Sequence, residues 1–323
     1  MAQATESRAH GGRVARGGQE GESRLTILVA LASNALIAVA KLLAGLASGS
    51  AAMLAEAAHS IADTVDQLVL LASLRLGRRP ADEEHQFGHG KERFFWAFVA
   101  AVWIFFAGAL FSIVQGVVAL RGGHSIGDPL VSLVVLGVAF VAEGASLIRA
   151  ARQLQQGAVR SRMSFTRFVG EVRDPAPRVV LLEDAAAVAG VVVAALGLAA
   201  SAVTGSEVFD ALASIAVGVI LAVAAVGVGT HAKALLLGES ARAETREFLE
   251  REIENRPEVV SVPELRTMHV GPDDVLVAGR VEFRDELSVP QIEELTDRII
   301  DDLRERDPAI RHVFLQPATS ERG

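Results

Sequence analysis

Six long apolar segments, near 25–47, 51–75, 94–120, 128–149, 179–204 and 208–231, constrain the fold of this chain more than any other feature. Each is close to the roughly 20 residues that a helix needs to cross a bilayer. Backbone polar groups in hydrocarbon must be satisfied within the segment itself, so these stretches predict membrane helices. Hydrophobic residues make up 51% of the chain and charged residues 22%, which fits a membrane part joined to a soluble part better than one uniform globule.

The connecting pieces set the expected organisation. Residues 1–24 are polar and Gly/Arg-rich and read as a flexible tail without the apolar core of a signal peptide. Ser48-Gly49-Ser50, the stretch from Arg121 to Gly127 and that from Thr204 to Glu207 are short turns. The other two connections carry Arg75, Arg78 and Arg79, and then Arg149, Arg152, Arg160, Arg162, Arg167, Arg173 and Arg178. The positive-inside rule places those arginine-rich connections, and with them both termini, in the cytoplasm. The expected layout is a six-span domain over 25–237 and a cytoplasmic domain over 238–323. A multi-pass integral membrane protein with short outer loops suits a bacterial inner (plasma) membrane.

Beyond Leu237-Gly238 the pattern turns soluble. Glu244 to Asn255 has helical spacing of Phe248, Leu249 and Ile253. Val259 to Val270 and Asp274 to Phe283 read as strands joined by Gly271-Pro272-Asp273, with Val275, Val277, Gly279, Val281 and Phe283 on one face. Gln291 to Arg304 is a second amphipathic helix, and Ile310 to Leu315 a last strand. A small sheet backed by two helices is marginal alone, so a homodimer is expected. The net charge of −8 lies mainly in this part, which excludes a nucleic-acid footprint there. There is no cysteine, so any metal must be held by His, Asp, Glu or water.

Ionisable groups within the apolar segments are costly and point to function. The second segment holds His59 and Asp63, which share one helix face at i and i+4 and offer the nitrogen and oxygen that divalent transition metals accept. A four-coordinate ion needs two more ligands from another span. The candidates are Glu143, Glu183, Asp184 and Asp210. At a rise of about 1.5 Å per residue, Glu183 and Asp184 fall at nearly the depth of Asp63, whereas Asp210 lies too near the outer end. Glu143 is better read as the partner of Lys41, and Asp66 and Gln67 continue the polar face of the second span. The rival reading of Glu183-Asp184 is a pair wetted at the cytoplasmic mouth. A second constellation follows at Pro80-Ala81-Asp82-Glu83-Glu84-His85-Gln86-Phe87-Gly88-His89-Gly90-Lys91-Glu92. There Asp82, His85 and His89 make a plausible zinc shell with room for water, and the alternative is a solvated loop capping the third span.

With these motifs in hand, the chain resembles the cation diffusion facilitator family of divalent-metal transporters from about residue 24 to 317. The likeness rests on His59-xxx-Asp63, the Pro80–Glu92 loop motif, the six spans and the C-terminal pattern. It implies a membrane α-helical fold of six transmembrane helices with a cytoplasmic α+β, ferredoxin-like domain, a homodimer, and proton-coupled efflux of zinc or a similar cation. It carries His59 and Asp63 into a transport site and Asp82, His85 and His89 into a loop site. The family's usual fifth-span His-xxx-Asp is replaced here by Leu181-Leu182-Glu183-Asp184, as in a branch that includes zinc transporters of the mitochondrial type. Either acid fills the missing position, with Asp184 favoured. One nitrogen with several oxygens is a harder donor set, which weakens discrimination against manganese, cobalt or iron. Pro263, Arg280 and Gln316 stand where the soluble domain would carry metal-binding histidines, and His269 and His312 read as structural.

Protons and metal compete for the same ligand atoms, so a site of this kind exchanges one for the other as its access alternates. Zinc is expected both as the transported ion and as an ion for the loop site, with no organic cofactor, and the partners are protons, divalent metal ions, lipid and a second copy of the chain. Two rivals belong to other classes. An intramembrane metallohydrolase would need an activated water beside an open metal position. A membrane scaffold serving the soluble domain would tolerate the loss of His59.

Overall fold

A computed structural model describes residues 31–122, 129–171 and 174–319. The tail expected at 1–24, most of the turn from Arg121 to Gly127, and Arg173 lie outside the described residues. In chain order the elements are α1 (Leu31–Ser48), α2 (Ala51–Leu76), α3 (Glu92–Gly122), α4 (Pro129–Arg160), α5 (Phe165–Glu171), α6 (Pro175–Thr204), α7 (Val208–Leu237), α8 (Ala243–Glu254), β1 (Val259–Gly271), β2 (Asp274–Phe283), α9 (Val289–Arg306) and β3 (Ile310–Pro317). Five helices, α1, α3, α4, α6 and α7, are long and apolar enough to cross a membrane. The other long helix, α2, spans 26 residues but carries Glu56, His59, Asp63 and Asp66. The chain therefore has a helical membrane part followed by an α+β domain, and six spans require that α2, acids included, be the sixth.

The described residues fall into two compact bodies. The first takes in the described residues up to Leu68, Trp103–Arg149 and Glu183–Ala225. Its core is built from side chains such as Met53, Ile104, Leu136, Val191, Leu198, Val217 and Leu221, with many alanines between them. Small residues let helix backbones approach closely, the usual packing solution in lipid. A Cβ on Gly116 would stand 2.6 Å from the Ala211 carbonyl oxygen, and one on Gly218 would stand 2.8 Å from that of Ala109, so α3 and α7 meet backbone to backbone. Ser214 Oγ donates to the Ser112 carbonyl across the same contact at 2.8 Å. The outward surface is apolar. Val131, Val134, Val138 and Val141 form one face of α4 and are between 58% and 70% exposed, a row that hydrocarbon would cover.

Asp210, at the start of α7, does not join the metal candidates. Its Oδ2 accepts the Ala51 and Ala52 backbone N–H groups at 2.6 and 3.4 Å, and its Oδ1 accepts the Ser50 hydroxyl at 2.5 Å. The carboxylate thus caps the N-terminus of α2, where free N–H groups and the positive end of the helix dipole favour an anion.

The second body comprises Val69–Val102, Ala150–Leu182 and Val226–Gly323. Two features depart from the sequence expectation. The fourth apolar segment was expected to end near 149, yet α4 runs on to Arg160 because Leu154 and Ala158 continue the buried spacing. The arginine-rich connection also contains α5, whose Phe168 ring lies where a Cβ on Gly157 would be, at 2.5 Å. In α3, residues Ile104–Leu110 of the first body adopt π-helical hydrogen bonding, which the hydrophobic pattern does not signal.

The soluble domain follows the order α8-β1-β2-α9-β3. Its sheet runs β1-β2-β3, with β1 antiparallel and β3 parallel to the central β2. On β2 every second residue is buried, and Val275, Val277, Val281 and Phe283 face α8 and α9 through Leu249, Ile253, Leu295, Ile299 and Leu303. Pro263 sits in an irregular stretch of the edge strand β1, between register shifts at Ser261 and Glu264, where its missing N–H breaks no regular ladder. Among the described residues this is the ferredoxin-like order without its first strand.

Candidate functional site

The helical repeat of α2 gathers its polar residues onto one stripe. Ala52, Glu56, His59, Asp63, Asp66 and Leu70 recur at intervals of three and four, and all but Asp63 are buried. At the N-terminal end of this stripe Lys41 of α1 is fully buried between two acids. Its Nζ lies 2.9 Å from Glu56 Oε2 and 2.6 Å from Glu143 Oε1 of α4. The expected pairing of Lys41 with Glu143 is present, and Glu56 joins it. Gly190 of α6 leaves room for Glu56, because a Cβ there would stand 2.4 Å from Glu56 Oε1.

One turn along, His59 is 3% exposed and neither ring nitrogen has a hydrogen-bond partner. A buried imidazole without a partner is uncommon, since both nitrogens are strong hydrogen-bonding groups. Asp63 is half-buried and accepts the Asn34 side-chain amide at 3.2 Å and the Gln67 amide at 3.3 Å, both on Oδ2. From α6, Asp184 is the charged group that acts most strongly on Asp63, and Ser146 of α4 donates to Asp184 Oδ2 at 2.9 Å. Glu183 points elsewhere. It is 4% exposed and lies within hydrogen-bonding range of Asp66, not of Asp63. Adjacent residues on a helix are about 100° apart, so the two acids cannot address the same point. Both acids of α6 still act on Asp63 by charge, and Glu183 also meets Asp66 within hydrogen-bonding range.

His59, Asp63, Glu183 and Asp184 share the first body but are not drawn into a closed coordination shell. Among the described residues, the group of three or more His, Asp or Glu side chains with ligand atoms within 4.8 Å of one another is Asp82, His85 and His89. That group lies in the loop between α2 and α3. Asp82 Oδ1 accepts the backbone N–H of His85 at 2.7 Å and of Glu84 at 3.1 Å, which folds the loop back on itself. Gly88, with φ of +80°, supplies a turn that other residues rarely adopt, and its N–H bonds to the His85 carbonyl at 2.8 Å. His89 Nδ1 lies 3.2 Å from the Pro80 carbonyl oxygen, while Nε2 lies 3.4 Å from Asp82 Oδ2. With the proton on Nδ1 for Pro80, the Nε2 lone pair faces the carboxylate, the arrangement a metal-ligating histidine takes. The His85 ring is 4.4 Å from that of His89. The backbone N–H of His85 is the main influence holding the Asp82 carboxyl below its ordinary value, with the two imidazoles adding to it. These residues fit a divalent ion.

The loop also packs on the soluble domain. Gly90 lies against the β1–β2 turn, since a Cβ there would come within 2.6 Å of the Val270 carbonyl oxygen and 2.8 Å of Gly271 Cα. The Phe87 ring meets His312 edge-on at 5.1 Å, and His312 Nε2 lies 3.4 Å from Asp274 Oδ2. His312 is thus engaged with the Phe87 ring and the Asp274 carboxylate.

Residues 27–237 match the family described as the cation efflux transmembrane domain, and residues 241–318 match the cation efflux protein cytoplasmic domain. The chain belongs to the cation efflux family. Among its relatives, the human "Proton-coupled zinc antiporter SLC30A9, mitochondrial" is 34% identical over 258 residues, covering 80% of this chain and 45% of that protein. "Metal tolerance protein C4" of Arabidopsis thaliana is 30% identical over 276 residues, covering 85% and 60%. The "Cation-efflux pump FieF" of Serratia proteamaculans (strain 568) is 29% identical over 292 residues, covering 88% and 90%. This chain thus spans about half the length of the first of these and less than two thirds of the second.

Several residues around the candidate site escaped the sequence reading. Asn34 and Lys41 are seven apart on α1, a spacing that puts both on one helix face and could have flagged Asn34 as a neighbour of α2. Glu56 lies one turn before His59 and was visible in the same stripe. Ser146 carries no signal beyond being a hydroxyl in an apolar span.

Proposed function

We propose that this chain carries divalent metal cations, zinc foremost, across a membrane in exchange for protons. The observation that carries the reading is His59, a buried imidazole with two unpartnered nitrogens beside the Asp63–Asp184 pair. Such a set offers the nitrogen and oxygens that a dication accepts, and Asn34, Gln67 and Ser146 orient the acids. Metal binding needs neutral imidazole and ionised carboxylates, so protons arriving at the same atoms release the ion. Closure of His59, Asp63 and Asp184 around the cation, and opening on protonation, would occur as α2 and α6 move against the other spans.

On this reading the protein is a transporter and not an enzyme. It works as a homodimer in a lipid bilayer, with 25–237 as the transport domain, 238–323 as a cytoplasmic domain and both termini in the cytoplasm. A bacterial inner membrane is the favoured location. The loop group Asp82, His85 and His89 holds a further ion, zinc by its two nitrogens and one oxygen. A second substrate reading has its own support. One nitrogen against several oxygens at the transport site is hard enough to admit manganese, iron or cobalt.

The test is uptake into proteoliposomes of the full chain under an imposed pH gradient, with zinc, manganese, iron, cobalt and cadmium in competition. Zinc uptake that collapses with the gradient is expected. Absence of gradient-driven movement of every one of these ions would refute the proposal.

A further inference from the structure

The buried acids Glu56 and Asp210 of the first body, and the half-buried Asp63, Glu143 and Asp184, each have a donor from another residue. Glu56 and Glu143 have Lys41, Asp210 has Ser50 and two backbone N–H groups, Asp63 has Asn34 and Gln67, and Asp184 has Ser146. Asp66 and Glu183 differ. Asp66 is fully buried and no donor reaches Oδ1 or Oδ2, and Glu183 is 4% exposed with no donor on Oε1. The two carboxyl groups face each other within hydrogen-bonding range. Two buried acids that meet each other with no donor from any other residue lack the hydrogen-bond partner that Glu56, Asp63, Glu143, Asp184 and Asp210 each find within the protein.

We infer that Asp66 and Glu183 form a second, all-oxygen cation station, one helical turn from the His59–Asp63–Asp184 site on the side of the Asp82 loop. Asp66 lies three residues beyond Asp63, about 4.5 Å further along the helix axis. An ion therefore moves from one pair to the other without crossing bare hydrocarbon. The station supplies two negative charges and no nitrogen, which suits hard dications such as Mn2+ and leaves imidazole selectivity to the neighbouring site. As a stage on a translocation path it rests on the proposed transport function, but as a binding site it does not.

The experiment uses the full-length protein in detergent with His59, His85 and His89 replaced by alanine and Asp63, Asp82 and Asp184 by asparagine, which removes the ligands of the other two groups. Mn2+ alone is the probe, and its bound fraction is read by electron paramagnetic resonance. Mn2+ binding is expected to persist in this background and to weaken on the order of tenfold or more on Asp66→Asn, since affinity at oxygen sites follows ligand charge. Glu183→Gln should give the same loss from the other helix, with Asp66→Glu retaining binding. Unchanged binding in Asp66→Asn and Glu183→Gln, or no Mn2+ binding in the parent background, would overturn the station. In particular, a pair that merely shares a proton gives unchanged binding, because an asparagine amide can donate to Glu183 in its place. Flux is measured separately on the unsubstituted chain. If that chain moves no dication, the transport reading fails, and the station is still decided by the binding result.

Discussion

Replacing Lys41 with methionine isolates the buried ion-pair network that joins α1, α2 and α4. Lys41 is fully buried, and its ammonium lies 2.9 Å from Glu56 and 2.6 Å from Glu143, linking α1, α2 and α4. Methionine fills much of the same volume, so packing changes little and the loss is chiefly that of the cation. Breaking a buried pair from one side leaves an uncompensated charge and costs about 3–5 kcal/mol. Two acids lose their partner here, which places the expectation at the upper end of that range. For a domain of roughly 200 residues this corresponds to a fall in melting temperature on the order of 10 °C. The assay is thermal unfolding of purified protein in detergent, comparing the parent, Lys41→Met, and the triple variant Lys41→Met, Glu56→Gln, Glu143→Gln. The triple variant should recover most of the loss, because neutralising all the partners removes the unpaired charge. If Lys41→Met melts with the parent, or the triple variant melts no higher than the single one, the reasoning about this network is wrong.

Three further outcomes follow from the geometry. Asp210→Ala removes the cap of α2 and should destabilise by about 1–2 kcal/mol, read by the same unfolding assay, while Asp210→Asn, which can still accept a hydrogen bond, should cost less. Gly90→Ala drives a Cβ into the backbone of Val270 and Gly271 and should lift the loop from the soluble domain at a cost of about 1–3 kcal/mol, read as faster trypsin cleavage after Arg78. Asp82 is held below the usual carboxylate range by the His85 N–H, so it stays ionised and able to attract a cation further into acid than an ordinary carboxylate. Zinc binding by a His59→Ala protein should therefore weaken on Asp82→Asn, read by zinc titration of the purified protein.

What was legible in the sequence was what periodicity encodes. The alternation from Val275 to Phe283 gave the central strand and its buried face, and the repeat from Glu56 to Asp66 gave the polar stripe of α2. The Asp82 loop was legible too, because its ligands are close in sequence and the glycines between them permit the fold-back. Contacts between distant segments were only partly legible. Depth alone put Glu183 and Asp184 level with Asp63, but which acid meets which partner depends on the rotation of α6 about its axis. A helix that is apolar nearly all round carries no pattern to fix that rotation. The π-helical stretch Ile104–Leu110 and the extension of α4 to Arg160 were missed for related reasons. The first is a hydrogen-bond shift within an unbroken apolar run. The second follows two buried side chains, Leu154 and Ala158, set among polar neighbours.

The account depends on His59 and Asp63 taking hold of a dication in the membrane and yielding it to protons. The direct measurement is zinc flux driven by an imposed pH gradient in proteoliposomes containing the parent chain, His59→Ala or Asp63→Ala. The account predicts zinc flux in the parent and its near-complete loss in both variants, with the purified proteins still folded. Flux undiminished in either variant would contradict it.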